Sequence, residues 1–270
     1  MLELNILDKQ IPVSKLLEVL KYKEDDIVFA AGSLIEGIGN RHSDLDIFIL
    51  TESLERFNEI ECEYDFDQFK VTFTNAYGIG FDIEVWSKEL LLEVISKINL
   101  IQFDTSTRTY NLLDLPNNNR IEDIMSLVHR FITGTALYNQ DGFNSLLEKL
   151  NLDNYYRLMV RMSMNEVDNT IDDLIGNVDK KDFTNAVLVG RTVLVETLTT
   201  YLFSMKMSLD RPKWVYPKLR QLAETDDVAK KFMKKFDEIT FVSLSNEKEF
   251  EKNAHKILDF TNLVLSKIEL

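Results

Sequence analysis

Two stretches of the chain concentrate side chains that can do chemistry. The first is VFAAGSLIEGIGNRHSDLDIFIL, Val28 to Leu50: an apolar run enters Gly32-Ser33, nine residues follow, and Ser43-Asp44-Leu45-Asp46 opens a second apolar run. Alternate residues of a strand share a face, so Asp44 and Asp46 project together while Leu45, Ile47 and Ile49 turn to the core. Two neighbouring carboxylates repel unless a cation lies between them or one is protonated. Their hard oxygens suit Mg²⁺, which binds through one or two carboxylates plus substrate phosphates. Gly32 lets a phosphate approach the backbone, and the Ser33 hydroxyl and adjacent N–H groups can donate to it. The second stretch is Phe81-Asp82-Ile83-Glu84-Val85-Trp86, where Asp82, Glu84 and Trp86 share a face. Acids on two strands in this pattern suit a metal pair flanking an α-phosphate, one ion activating a hydroxyl and the other stabilising the leaving pyrophosphate.

Other chemistries lack their residues. Gly37-Ile38-Gly39-Asn40 is no phosphate loop of the Gly-Lys-Ser/Thr kind, and it leads into a strand where a dinucleotide fingerprint needs a helix. His42, His129, His255 and the single Cys62 are too scattered for a zinc site. Neither Gly-x-Ser-x-Gly nor His-Glu-x-x-His occurs, which removes the common hydrolase patterns.

The elements that must position these residues change in character along the chain. Ile27–Ala31, Asp44–Leu50, Lys70–Thr74 and Phe81–Trp86 are short runs rich in β-branched and aromatic residues, and they predict strands. Ser14–Lys21 and Lys88–Ile98 have helical spacing, the latter with Ser87 as its N-cap. Apolar stripes over Ile121–Leu137, Tyr155–Ile175, Phe183–Met205, Val228–Phe241 and Phe250–Ile268 predict a helical second half. The expected fold class is α+β: a small mixed-sheet domain over 1–103, a linker over 104–120 marked by Pro116 and three asparagines, and an all-helical bundle over 121–270.

Composition bounds the partners. With 31 basic and 45 acidic residues the 270-residue chain carries a net charge of −14, which argues against a protein that grips a DNA or RNA backbone. One cysteine allows no internal disulfide, and no basic n-region with an apolar core opens the chain, so a cytoplasmic setting is expected. No apolar run is read as long enough to span a bilayer.

Gly-Ser, ten residues, Asp-x-Asp on a strand and a later acidic strand resemble the DNA polymerase β-type nucleotidyltransferase superfamily. The helical second half is similar to that of its aminoglycoside nucleotidyltransferase-like members. The motif-level resemblance covers residues 27–90. It implies that Gly32 and Ser33, with Ser43 beside the acidic pair, hold the triphosphate of ATP or another NTP, and that Asp44 and Asp46 bind Mg²⁺. Asp82 or Glu84 is the third carboxylate; the flanking Phe81 and Ile83 favour Asp82, the third metal ligand in this reading. The implied reaction moves a nucleoside monophosphate, AMP from ATP, onto a hydroxyl of a small molecule. The acidic surface favours a cationic acceptor by electrostatic focusing. Relatives that modify proteins or make oligonucleotides, and a non-catalytic nucleotide-binding module, are the alternatives.

The resemblance also implies a helical domain that closes the cleft and chooses the acceptor. There, DRPKWVYPKLR (210–220) gathers cations and aromatics: Lys213 or Lys218 can neutralise triphosphate charge, and Trp214 or Tyr216 can stack on a base or acceptor, with Trp214 as a plain helix anchor the equal alternative. His129-Arg130 ahead of Gly134 reads as charge complementing a helix C-terminus, with Arg130 reaching the phosphates as the alternative. Arg157, Arg161, Asn165 and Asn169, spaced by four, read as a solvated helix face, the alternative being that they line the cleft with Glu166 and Glu196. A bundle of this kind is also compatible with a homodimer.

Overall fold

The computed structural model describes residues 1–58, 62–103, 113 and 120–268. The chain divides into two units, Met1–Ile101 with Leu113–Asn151, and Gln102–Leu112 with Leu152–Leu270. The first unit contains strands β1 (Leu2–Leu4), β2 (Lys9–Ile11), β3 (Ile27–Ala31), β4 (Leu45–Thr51), β5 (Tyr64–Asp65), β6 (Phe69–Ala76), β7 (Ile79–Ser87) and β8 (Thr135–Tyr138). Its helices are α1 (Val13–Glu18), α2 (Lys88–Leu100), α3 (Ile121–Thr133) and α4 (Gln140–Leu147). β1 and β2 pair as a small hairpin, and the other six strands form one sheet in the order β5-β6-β7-β4-β3-β8. Only the central pair, β4 and β7, runs parallel. The fold class is therefore a mixed sheet followed by helices, as the sequence predicts.

Alternation along the strands builds two layers on this sheet. Val28, Ala30, Leu45, Ile47, Ile49, Phe81, Ile83 and Val85 face one side and form a core with Leu16 and Leu20 around α1 and with Leu2, Leu4 and Ile11 of the hairpin. On the other side Phe29 stacks on Phe48 at 5.1 Å between ring centroids and meets Phe131 of α3 and Phe143 of α4. The Ser87 hydroxyl accepts from the Leu90 N–H, the cap predicted for α2.

Two expectations need correction. The apolar stripe predicted over Ile121–Leu137 is helical only to Thr133, and Thr135–Tyr138 is a strand antiparallel to β3. At Gly134 a Cβ would lie 2.6 Å from Phe29 and 2.7 Å from the Arg130 carbonyl, so the chain can turn against the sheet only as glycine. The same pairing moves the domain boundary: residues 121–151 belong to the sheet unit, because β8 adds to β3 and the Phe131 and Phe143 rings complete its aromatic layer. The predicted linker over 104–120 lies outside the described residues except for Leu113 and Arg120.

The second unit contains α5 (Leu152–Asp179), α6 (Phe183–Ser204), α7 (Val215–Leu222), α8 (Asp227–Thr240) and α9 (Glu247–Leu265). Asp182, Asp226 and Asn246 cap α6, α8 and α9 by accepting from backbone N–H groups three residues on. α6 is apolar enough, at 22 residues and a mean hydropathy of 1.3, to cross a bilayer by length and composition, contrary to the sequence expectation. Its composition has a simpler cause: 61% of that window is buried, with Val193, Leu194 and Leu198 in a core shared with Phe232 of α8 and with Ile257 and Phe260 of α9.

Candidate active site

The site is assembled at one edge of the sheet in the first unit, where β3 ends and β4 and β7 begin. Asp46 is the register partner of Ala31 on one side and of Asp82 on the other. Register partners share a face, so the parallel pairing sets the Asp46 and Asp82 carboxylates side by side. Asp44, exposed and just ahead of β4, lies on that same face. Two glycines make room for the pair. Gly32 has φ +80°, and the position of its missing Cβ is filled by the Asp46 carboxylate, with Arg130 Nη1 3.0 Å away. At Gly80 the missing Cβ is replaced in the same way by the Asp44 carboxylate. Gly80 was not singled out from the sequence; a glycine at a strand start marks such a close approach.

The segment between β3 and β4 folds tightly on itself. Glu36 N–H donates to the Gly32 carbonyl at 3.0 Å, and the N–H groups of Ile38 and Gly39 both donate to the Ser33 carbonyl. The Ser43 hydroxyl accepts from the Asn40 N–H at 3.0 Å. A Cβ on Gly39 would stand 2.8 Å from the Ser33 hydroxyl and 2.9 Å from that of Ser43, so the two serines converge on this glycine. Gly32-Ser33 and Ser43, ten positions further on, thus form one polar turn beside the carboxylates.

Helix α3 clamps this turn with two consecutive residues. His129 Nε2 lies 3.2 Å from Glu36 Oε1, with side chains 1% and 6% exposed. Arg130 Nη1 lies 3.1 Å from Asp46 Oδ2, and the guanidinium sits 5.7 Å from the Phe48 ring centroid. Arg130 does stand in the last turn of α3. A charge serving the helix dipole needs only a solvated position, whereas this one is buried against an acidic site residue. The pairing adds to the helix-end position read from the sequence, which held no signal linking Arg130 to Asp46.

Glu84 shares the face of Asp82 but sits one pleat further from Asp44, and its Oε2 accepts from Trp86 Nε1 at 2.7 Å. Geometry therefore groups Asp44, Asp46 and Asp82, and gives Glu84 a role in holding Trp86, which stacks on Phe69 at 4.0 Å. Among the described residues no three His, Cys, Asp or Glu side chains stand close enough to cage a metal ion. The exposed Asp44 and the Asp46–Asp82 pair are hard oxygen donors of the kind that binds Mg²⁺ with substrate phosphates completing its shell. In its chemistry the donor set fits that ion.

Lys213, Lys218 and Trp214 belong to the second unit. Lys213 Nζ lies 4.6 Å from the Trp214 ring centroid, Trp214 is half-buried, and Lys218 is buried in α7. Arg157 and Arg161, expected on a solvated face, instead lie over the ring of Phe103 within that unit.

No protein-family model and no curated protein matches the chain. Among solved structures, it is similar to a nucleotidyltransferase-like protein from Exiguobacterium sibiricum 255-15, with 12% identity over 94% of this chain and 71% of that one, at a TM-score of 0.46.

Proposed function

We propose that the protein is a Mg²⁺-dependent nucleotidyltransferase that moves a nucleoside monophosphate, AMP from ATP, onto a hydroxyl of a small molecule and releases pyrophosphate. One observation carries the reading: Asp46 and Asp82 are register partners on parallel strands, with Asp44 on the same face and the Gly32-Ser33 turn adjoining them. In this reading Gly32, Ser33 and Ser43 receive the triphosphate through backbone N–H and hydroxyl donors. Asp44, Asp46 and Asp82 would hold Mg²⁺, which supplies charge neutralisation at the phosphates and lowers the pKa of the attacking hydroxyl. The hydroxyl oxygen bonds to the α-phosphorus in line, the bond to the bridging oxygen of pyrophosphate breaks, and a carboxylate on β7 takes the proton. Arg130 fixes the Asp46 carboxylate on one side so that its other oxygen keeps a defined direction. Lys213, Lys218 and Trp214 are the helical unit's candidates for phosphate and base, and the net charge of −14 favours a cationic acceptor.

A second reading is a nucleotide-binding module without turnover. It is favoured by Arg130, whose cation already engages an Asp46 oxygen that a metal would need. Pyrophosphate release from each of the four NTPs with Mg²⁺, across a panel of amino sugars and amino alcohols, separates the two. Transfer predicts release that needs an acceptor and drops by at least about a hundredfold in Asp46→Asn. Undiminished transfer in both Asp44→Asn and Asp46→Asn would sink the first reading. Saturable NTP binding with no release under any acceptor establishes the second.

A further inference from the structure

A cavity of about 480 Å³ lies in the helical unit, lined by Tyr156, Arg157 and Arg161 of α5, by Phe203 near the end of α6, and by Lys206 just beyond it. Small-molecule sites span roughly 300–1,000 Å³. Three cations meet here in a chain of net charge −14, and Asp153 is the one acid among the described residues that line the wall. Lys206 donates to Asp153 Oδ1 at 2.6 Å, which holds the Asp153 carboxyl below its usual range.

The arrangement of the arginines is the telling part. Arg157 and Arg161 are one helical turn apart, a spacing at which like charges repel. Both guanidiniums nevertheless lie over a single ring, Phe103, at 4.5 and 5.3 Å from its centroid. An aromatic face holds a guanidinium in place without removing its charge. Two planar forks pre-oriented in this way are suited to the oxygens of a phosphate or carboxylate, with Lys206 as a point charge beside them. The cavity is several times larger than an inorganic anion needs, and Tyr156, Val160 and Phe203 give it apolar surface.

We propose that this cavity binds a small organic anion, its phosphate or carboxylate gripped by Arg157, Arg161 and Lys206 and its apolar portion seated against Tyr156 and Phe203. The site belongs to the helical unit alone and stands independently of the nucleotidyl-transfer reading.

Isothermal titration of the full chain with inorganic phosphate, phenyl phosphate and succinate tests it. Phenyl phosphate or succinate should bind at one site per chain, more tightly than inorganic phosphate, and weaken as salt rises. The tighter of the two names the headgroup. The Arg157→Gln/Arg161→Gln double variant and, separately, Lys206→Gln should each lose affinity by about tenfold or more, the loss of a charge-assisted hydrogen bond. Asp46→Asn should bind as the parent does. Lys206 is exposed, so its variant keeps the test valid if the arginine pair is needed for folding. Absence of saturable binding by all three probes, or binding that neither cationic variant weakens, overturns the proposal.

Discussion

At the residue scale, the candidate site depends on side chains that are missing as much as on those present. Gly32 and Gly37 both have positive φ, +80° and +71°, but a Cβ meets the Asp46 carboxylate at the first and nothing within 4 Å at the second. Gly37→Ala should therefore cost only the backbone strain, about 1 kcal/mol. Gly32→Ala should cost at least about 1 kcal/mol more, because Asp46 and Arg130 must also shift. Urea denaturation of both variants checks the difference; equal losses would mean that Asp46 does not occupy that space. Arg130→Met breaks a largely buried ion pair and should destabilise by about 2–3 kcal/mol, discounted for the partial exposure of Asp46. In the Arg130→Met/Asp46→Asn double variant the losses should fall short of additivity by about 1 kcal/mol. A purely additive cycle would show that the two residues do not couple. The Asp44–Asp46 pair was legible in the sequence, since strand alternation is local. Arg130 was not, because nothing in a helix-end arginine specifies a partner on a strand so distant in the chain.

At the scale of elements, what one helix can approach is decided by small residues at crossings. A Cβ on Gly190 of α6 would stand 2.7 Å from Ile257 Cδ1 and 3.1 Å from its Cγ2 on α9. Gly190→Ala gains about 1 kcal/mol of helix propensity and loses roughly 1–3 kcal/mol to overpacking, so a net loss near 1 kcal/mol is expected. Ile257→Val removes the nearer methyl and alone should cost about 1 kcal/mol. The double variant should be more stable than the sum of the two losses, as thermal unfolding would report. Simple additivity would place the α6–α9 contact elsewhere. The stripe containing Gly190 was visible in sequence as helical periodicity, but the partner that requires glycine was not. The same holds for β8: Thr135–Tyr138 extends an apolar stripe and reads as helix, until pairing with β3 makes it a strand. Propensity is a weak prior that an available sheet edge overrides.

At the scale of the whole molecule, 45 acids against 31 bases leave a surplus of negative charge that opposes compaction. Exposed ion pairs such as Arg56 with Asp25 contribute little against it. Raising ionic strength from about 10 to about 150 mM shortens the screening length from about 30 to about 8 Å. The melting temperature should rise by about 2–4 °C, the shift that roughly 1 kcal/mol produces in a protein of this size class. A fall in melting temperature would instead assign the stability to surface pairs that salt weakens. The two units also show where charge is gathered against the average. The cavity of the helical unit carries Arg157, Arg161 and Lys206 in an acidic protein, and only folding brings Lys206 to the two arginines of α5.

Strands β3, β4 and β7, helices α2, α5, α6, α8 and α9, the cap at Ser87 and the alternation that puts Asp44 and Asp46 on one face were all determined by the sequence itself. Each depends on periodicity or on a side chain meeting a backbone group a few residues away, and such information is local. The tertiary structure alone decided that Asp82 lies opposite Asp46, that Gly32 and Gly80 make room for the carboxylates, and that residues 121–151 complete the sheet unit. It also decided that Arg130 and His129 clamp the turn at Gly32. These are pairings between segments far apart in the chain. Their register is selected by burying one face of every strand at once, a condition no single segment carries.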